Sequence, residues 1–266
     1  MRIRILGIGF CLTAVILLQG CYFWSSEISN PEITSSYRMD DFDYHDYVGY
    51  DESSQQEFIL YIEKNYLNDL RAKIITENIT LPSITLYEFT HRALAEKYKD
   101  PEFMETNRGK ASKRDAEQLT LLVKKLLERL NLFQSVDVIS ENTNGSDLYV
   151  RPTIGVYYKS SSILGRAVYV TAVLTFGIIS PAHGSEIVQL KFEIFPEHAK
   201  TDAVLVEGTG GGFTALSTVW MTDNPNCFDD MHHYAFGIAF RKLVLNILDK
   251  RNQIKKLSSS NVSGTD

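Results

Sequence analysis

The residues from Asp229 to His233 are the densest group of side chains in the sequence that could bind a metal ion. They read Asp-Asp-Met-His-His, and we expect them to lie on a helix. There Asp229 precedes His232 by three residues and His233 by four, so one face could present a carboxylate and an imidazole to a metal. In the alternative, Asp229 caps the helix and the histidines lie at the surface or in an interface. No other His or Cys pair has ligand spacing, which favours the alternative.

Cys227 lies close to the same group, and a thiol near an imidazole could act as a nucleophile. Its neighbours match no nucleophile motif, and spacing along the chain says little about a pair that is assembled through space.

The glycine-rich residues 208–212 could cradle a phosphate, but the Lys-Ser/Thr of a P-loop is missing and the sequence has no G-x-S-x-G motif. We therefore expect a flexible turn at 208–212 and no catalytic residue.

The N-terminus has the pattern of a secretory signal. Arg2 and Arg4 precede an uncharged apolar run from Ile5 to Leu18. As a helix this run would span about 21 Å, which is short of the roughly 30 Å of a bilayer's hydrocarbon core. We therefore expect residues 1–20 to be a signal peptide that is removed rather than a membrane anchor.

The end of this run, Leu18-Gln-Gly-Cys21, resembles the lipobox of bacterial lipoproteins. The resemblance implies lipid attachment at Cys21 through a diacylglyceryl thioether, with an amide-linked acyl chain such as palmitate and no other cofactor. Two or three acyl chains hold a protein on a membrane almost permanently. Tyr22 rather than Asp follows the cysteine, which in lipoproteins of diderm bacteria permits sorting to the outer membrane. The predicted location therefore faces the periplasm, with the outer membrane favoured over the inner.

Two alternatives to the lipobox remain. The segment could be an ordinary signal peptide cleaved at another site, or an N-terminal anchor that is not cleaved. No A-x-A-like cleavage site follows the apolar run, whereas Gly20-Cys21 lies where cleavage should occur. Loss of Cys11 with the signal and acylation of Cys21 would leave Cys227 as the one thiol of the mature chain, without an intramolecular disulfide.

The charge of the chain is concentrated after Cys21. The whole sequence has 266 residues and a net charge of −6, so nothing predicts a nucleic acid partner. Residues 22–56 hold eight acidic residues against Arg38, and we expect 21–56 to be an acylated, acidic tether. The five aromatic rings between Tyr37 and Tyr50 allow two interpretations: a loosely docked extension that lays its rings on the domain, or a short linear segment that orders against a partner.

Sequence patterns predict four helices. The capping-box pattern Ser54-Gln-Gln-Glu57 precedes apolar residues at every fourth position. A second box begins at Thr85, and a third begins at Ser112 before a leucine-rich face, with a polar loop between them at 107–110. A closing helix is expected from about Asp229 to Lys256, followed by a disordered tail over 258–266.

Between the third and fourth helices the apolar period changes to two, which indicates strands. Val136 and Val138 lead to Asn144-Gly145, a strong hairpin signal before the strand that begins at Leu148. Pro152 cannot donate a hydrogen bond to a neighbouring strand, so that strand is expected at an edge or at a bulge.

Two further strands are expected over Val188–Ile194 and Ala203–Val206. The uncharged stretch Ala167–Ile179 is rich in β-branched residues and favours a central strand. Membrane contact by residues 163–180 and a buried helix are the alternatives.

These elements predict an α+β domain over residues 57–257, in which helices pack on one face of an antiparallel meander sheet of about five strands and a C-terminal helix closes the fold. Residues 126–150 resemble a helix, Phe, strand and hairpin segment of periplasmic assembly proteins, among them the N-terminal domain of the Tol translocation propeller protein and the penicillin-binding-protein activator lipoproteins. The resemblance implies a fold type only.

The predicted function is that of a lipid-anchored cell-envelope lipoprotein. We expect a non-enzymatic accessory or assembly subunit of a periplasmic or outer-membrane complex, held on the membrane by Cys21 and bound to an envelope protein. The alternative is an envelope hydrolase or a metal-binding lipoprotein that uses residues 227–233, with Asp229, His232 and His233 as candidate ligands.

Overall fold

In a computed structural model the chain forms a mixed α/β domain in which helices cover a sheet. The structure describes residues 25–40, 42–49, 51–92, 100–139, 146–160, 184–196, 203–214 and 226–260. The predicted signal peptide, Cys21, the Asn144-Gly145 turn and the stretch Ala167–Ile179 lie outside these residues.

The sheet has eight strands and is mixed, so the predicted five-stranded antiparallel meander is wrong. Its order is β1-β8-β7-β6-β3-β5, with β2 and β4 also paired to β6. The long strands β6, β7 and β8 are antiparallel to one another, whereas β3 and β4 run parallel to β6. The strands are β1 Ser25–Ile28, β2 Arg38–Asp40, β3 Ile84–Leu86, β4 Thr90–His91, β5 Val136–Val138, β6 Leu148–Ser160, β7 Gly184–Pro196 and β8 Val204–Thr214.

Seven α-helices lie within the described residues, and none of them is long and apolar enough to cross a membrane. A π-helical turn, Glu63–Leu67, joins the second to the third. The helices are α1 Tyr44–Val48, α2 Glu52–Ile62, α3 Asn68–Thr76, α4 Pro101–Glu105, α5 Asn107–Leu130, α6 Asn226–Asp249 and α7 Arg251–Ser260.

Three predicted helices exist but differ at their ends. Asp51 rather than Ser54 caps α2, because its carboxylate accepts the backbone N–H of Ser54 at 2.7 Å. Thr106 caps α5 in the same way, so the predicted loop at 107–110 is its first turn. The closing helix begins at Asn226 and is interrupted at Lys250 before α7, which includes residues 258–260 of the predicted tail.

The helix predicted from Thr85 is wrong, since β3 and β4 occupy this part of the chain. All three residues of β3 are buried, and β3 pairs in parallel with both β5 and β6. Backbone pairing on both sides therefore outweighs the helical spacing of the apolar residues. Because β3 lies between β5 and β6, these two strands do not form the predicted hairpin.

Pro152 lies in the interior of the sheet, in register with Phe192 of β7. On the other side of β6, Val150 and Ile154 accept the backbone N–H groups of Tyr87 and Arg92. Pro152 falls between these two bonds, where the neighbouring chain leaves the sheet between β3 and β4. No strand lies opposite Pro152 on this side, so its lack of an N–H group breaks no hydrogen bond of the sheet.

The glycine-rich residues 208–212 belong to β8 and are not the predicted flexible turn. A Cβ at Gly208 would overlap the carbonyl oxygen of Ala239, and one at Gly212 would overlap that of Met231. Alternate glycines thus allow the backbone of α6 to rest directly on β8. This contact continues into the core, where Phe236 and Phe240 of α6 join apolar side chains of β7.

The described part of the predicted tether is integrated into the domain. β1 pairs with β8 and β2 pairs with β6, which places residues 25–28 and 38–40 in the sheet. Phe42, Tyr44 and Tyr47 are buried in the hydrophobic core. The rings therefore pack on the domain, as the first interpretation expects, but the backbone of this segment supplies two strands and a helix and does not form a linker.

Candidate functional site

The structure places His232 and His233 on α6, at its contact with α1 and β7. The backbone of Cys227 and Asp229 is helical, and their side chains lie outside the described part of the chain. The thiol and imidazole pair at Cys227 and His232 therefore stays a prediction.

His232 faces the sheet, where it contacts Glu186 of β7. Its Nδ1–H donates to Oε2 of Glu186 at 2.7 Å, and Oε1 of the same carboxylate accepts the hydroxyl of Tyr47. Glu186 is 3% exposed and Tyr47 is equally buried. A buried carboxylate needs such donors because it has lost its hydration. The three side chains thus join β7, α1 and α6 at one point.

The ring of Tyr47 completes this cluster. Its centroid lies 4.8 Å from that of Phe42 and 5.0 Å from that of His232. Burial, followed by the charge of Glu186, raises the pKa of Tyr47 well above its ordinary value. Tyr47 therefore remains a hydrogen-bond donor to Glu186 throughout the physiological pH range.

His233 has a different partner from His232. Its Nε2–H donates to the backbone carbonyl of Tyr47 at 2.9 Å, and its ring lies 4.9 Å from that of Phe58 and 5.2 Å from that of Tyr61. Burial lowers the pKa of His233 to about 4. At neutral pH it is therefore an uncharged imidazole that ties α1 to α6.

A cavity of about 190 Å³ lies beside the Glu186 cluster. Burial and the carboxylate of Asp43 raise the pKa of Asp46 at its wall, while His232 lowers it. The lining is predominantly acidic, so it favours a positively charged or hydrogen-bond-donating group and repels anions. The lining residues are Asp40, Asp43, Asp46, Tyr47, Val156, Tyr158, Glu186 and His232.

A third histidine of this region, His91, is buried on β4. His91 is 5% exposed, and its Nε2 accepts the backbone N–H of Phe42. Nδ1 must then carry the proton, and it has no hydrogen-bond partner among the residues that the structure describes. Burial lowers the pKa of His91 to about 4. A void of about 10 Å³ next to the ring is lined by Ser112 and Asp115 among others, and burial raises the pKa of Asp115 to about 6.

Two of the three predicted metal ligands, His232 and His233, are therefore used in other contacts, and the side chain of Asp229 lies outside the described part of the chain. His232 donates to a carboxylate and His233 donates to a backbone carbonyl. Among the described residues, no group of three or more His, Cys, Asp or Glu side chains is arranged to hold a metal ion. The arrangement supplies hydrogen-bond donors to a buried carboxylate and joins β7, α1 and α6. This agrees with the alternative in which the two histidines lie in an interface.

Two residues of this cluster are absent from the sequence-based candidates. The predicted strand begins at Val188, whereas β7 begins at Gly184 and includes Glu186. The acidic surroundings of Tyr47 predict a place in the tether. The sequence contains a signal for both residues. An acidic residue beside an apolar strand needs a buried partner, and so does an aromatic ring in an acidic segment.

Comparison with known proteins identifies no family. The sequence matches no known family profile, and no curated protein is significantly similar to it. A crystal structure of a Xanthomonas campestris protein of the family DUF330 is similar over 69% of this chain and 90% of that chain, with 10% identity and a TM-score of 0.31. A neuraminyllactose-binding hemagglutinin homologue from Helicobacter pylori is similar over 68% and 89%, with 11% identity and a TM-score of 0.28. Neither description names the protein families that residues 126–150 resemble, and at these scores neither likeness carries an argument about function.

Proposed function

We propose that this protein is a lipid-anchored accessory or assembly subunit of a complex in the bacterial cell envelope. The single observation that carries the proposal is the N-terminal sequence, in which a basic and then apolar segment ends at Gly20-Cys21. Acyl chains on Cys21 would hold the protein on the membrane. The domain that follows would face the periplasm, on the outer membrane in preference to the inner.

The described fold supports a close connection between anchor and domain. Only residues 22–24 separate Cys21 from the first strand, and β1 is hydrogen-bonded to β8. A protein anchored in this way cannot reach far from the membrane on a flexible linker. Its partners are then those that approach the same membrane surface, which suits a subunit of an envelope complex.

The arrangement of the two histidines supports a role without catalysis. His232 and His233 hold α1 and β7 against α6, and His233 is uncharged at neutral pH because burial lowers its pKa to about 4. Replacement of either residue is therefore expected to act on stability. A hydrolase that used residues 227–233 would instead lose turnover while remaining folded.

The accessory role is tested by crosslinking in intact bacteria, followed by purification of the acylated protein and identification of what is attached. We expect an envelope protein to be crosslinked to the full chain. The control is the same chain without residues 1–20, which stays in the cytoplasm and should not capture it. Recovery of this protein alone, with no crosslinked envelope protein, would contradict the accessory role.

A further inference from the structure

Four strands, β1, β6, β7 and β8, each have one terminus at the same end of the sheet. Ser25 pairs with Thr214, Thr214 pairs with Gly184, and Gly184 pairs with Ser160. These four residues define what we call the anchor end of the sheet. The opposite end is formed by Leu148 at the start of β6 and by its partner in β7.

The anchor end is also the part of the fold nearest to Cys21 along the chain. Four residue steps lead from Cys21 to Ser25. A fully extended chain covers at most about 3.6 Å for each step, so the two residues lie within about 14 Å of each other. Lipid on Cys21 would therefore keep the anchor end close to the headgroups.

The sequence joined to the anchor end suits a lipid surface. Residues 161–183 connect β6 to β7 and contain no acidic residue, and residues 215–225 after β8 contain a single one, Asp223. Both tryptophans of the chain are close to this end in sequence, since Trp24 precedes Ser25 and Trp220 follows β8 by six residues. Tryptophan is the residue type most typical of the membrane–water interface, together with tyrosine.

Two of the acidic residues that line the nearby cavity, Asp40 and Glu186, do not oppose this placement. Asp40 is in register with Val156, four residues from Ser160, or about 13 Å along the strand. This exceeds the Debye length of about 8 Å at physiological ionic strength. Glu186 lies closer to the anchor end, but His232 and Tyr47 satisfy its carboxylate.

We propose that the anchor end of the sheet stands on the lipid bilayer, so that β6, β7 and β8 run away from the membrane and the opposite end faces the periplasm. This inference rests on the proposed lipid anchor and adds an orientation to it. Two positions on these strands, the half-buried Lys159 and the exposed Leu205, provide a direct comparison. Lys159 of β6 is in register with Ser185 of β7, which is in register with Phe213 of β8. Leu205, which is 51% exposed, lies eight residues from Phe213 along β8, or about 27 Å away.

The experiment uses the full-length acylated protein with Cys227→Ser, so that a single thiol can be labelled. Lys159→Cys and Leu205→Cys are each labelled with a bimane fluorophore and reconstituted in vesicles of phosphatidylethanolamine and phosphatidylglycerol. A spin-labelled lipid is then added as the quencher. We expect loss of fluorescence from the probe at Lys159 and none above background from the probe at Leu205.

Two outcomes would overturn the inference, and they are distinguishable. Equal quenching at both positions, or stronger quenching at Leu205, would show that another face of the domain lies on the membrane while the lipid anchor stands. Failure of the acylated protein to associate with vesicles at all would overturn the proposed anchor, and the orientation with it.

Discussion

The carboxylate of Glu186 in β7 lies 2.7 Å from the imidazole of His232 in α6, and this contact joins the sheet to the 24-residue helix α6. The same carboxylate accepts the hydroxyl of Tyr47, so the N-terminal segment is attached at the same point. Residues from three distant parts of the sequence therefore depend on one buried acid.

Replacement of Glu186 with Ala should destabilise the protein strongly. It would leave the Tyr47 hydroxyl without its acceptor and His232 without its buried partner. Loss of one member of a buried pair costs about 3–5 kcal/mol, and we expect a loss near the lower limit because His232 is 15% exposed. The measurement is the free energy of unfolding in urea.

Glu193→Ala on the same strand is the matched control. Glu193 contacts Arg151 at 2.6 Å, but both side chains are more than a third exposed. Such surface pairs contribute less than about 1 kcal/mol. Equal effects of the two substitutions would refute the structural role given to Glu186.

The buried histidines predict a pH dependence of stability. Burial lowers the pKa of both His91 and His233 from 6.5 to about 4. Between these values the unfolded chain binds protons that the folded protein does not, so their contribution to stability decreases as the pH falls from about 6.5 to 4. The maximum slope is about 1.4 kcal/mol per pH unit for each histidine.

The double variant His91→Gln and His233→Gln should lack this contribution. The difference in unfolding free energy between wild type and variant should therefore decrease steadily between pH 7 and pH 5. Asp115→Asn is the control of opposite sign. Burial raises the pKa of Asp115 from 3.8 to about 6. The free energy of unfolding of the wild type should therefore increase relative to that of this variant as the pH falls through 6. A constant difference for the histidine variant would contradict the burial of the two rings.

The contact between β8 and α6 should tolerate no side chain. A Cβ at Gly210 would overlap the backbone nitrogen of Ala239, and we expect Gly210→Ala to cost at least about 3 kcal/mol, since neither backbone can move freely. Gly155→Ala is the control, because its nearest neighbours at 3.2 Å are atoms of the Arg92 and Tyr157 side chains. Thermal unfolding of both variants compares the two sites, and a Gly210→Ala protein as stable as Gly155→Ala would disprove the close contact.

The segment predicted as a tether should behave as part of the domain. Phe42 is 4% exposed, and Phe42→Ala should lower the unfolding free energy by about 3 kcal/mol or more. Ile33, which is 42% exposed in the same segment, provides the control substitution with a small effect. If neither substitution changed stability, the segment would be a linker after all.

Local patterns predicted the elements whose spacing agrees with their final packing. The leucine face of α5 and the alternation in β7 are examples, since each buries one face against the core. Patterns failed where distant chain segments decide the outcome. β3 is a strand because β5 and β6 offer backbone partners on both sides, and β1 exists only because β8 extends to Thr214.

The candidate site was predictable in part for the same reason. Residue type alone indicates His232 and His233 as candidates, and the sequence predicts their place on a helix. Their partners Glu186 and Tyr47 are 46 and 186 residues away from them, respectively. Spacing along the chain carries no information about such pairs, so a metal site and an interface could not be distinguished from the sequence.

Acylation of Cys21 is the central claim, and metabolic labelling of growing bacteria with an alkyne analogue of palmitate tests it most directly. The wild-type protein and the Cys227→Ser control should both incorporate the label, and Cys21→Ser should not. Label that persists in Cys21→Ser, or its absence from the wild type, would contradict the account.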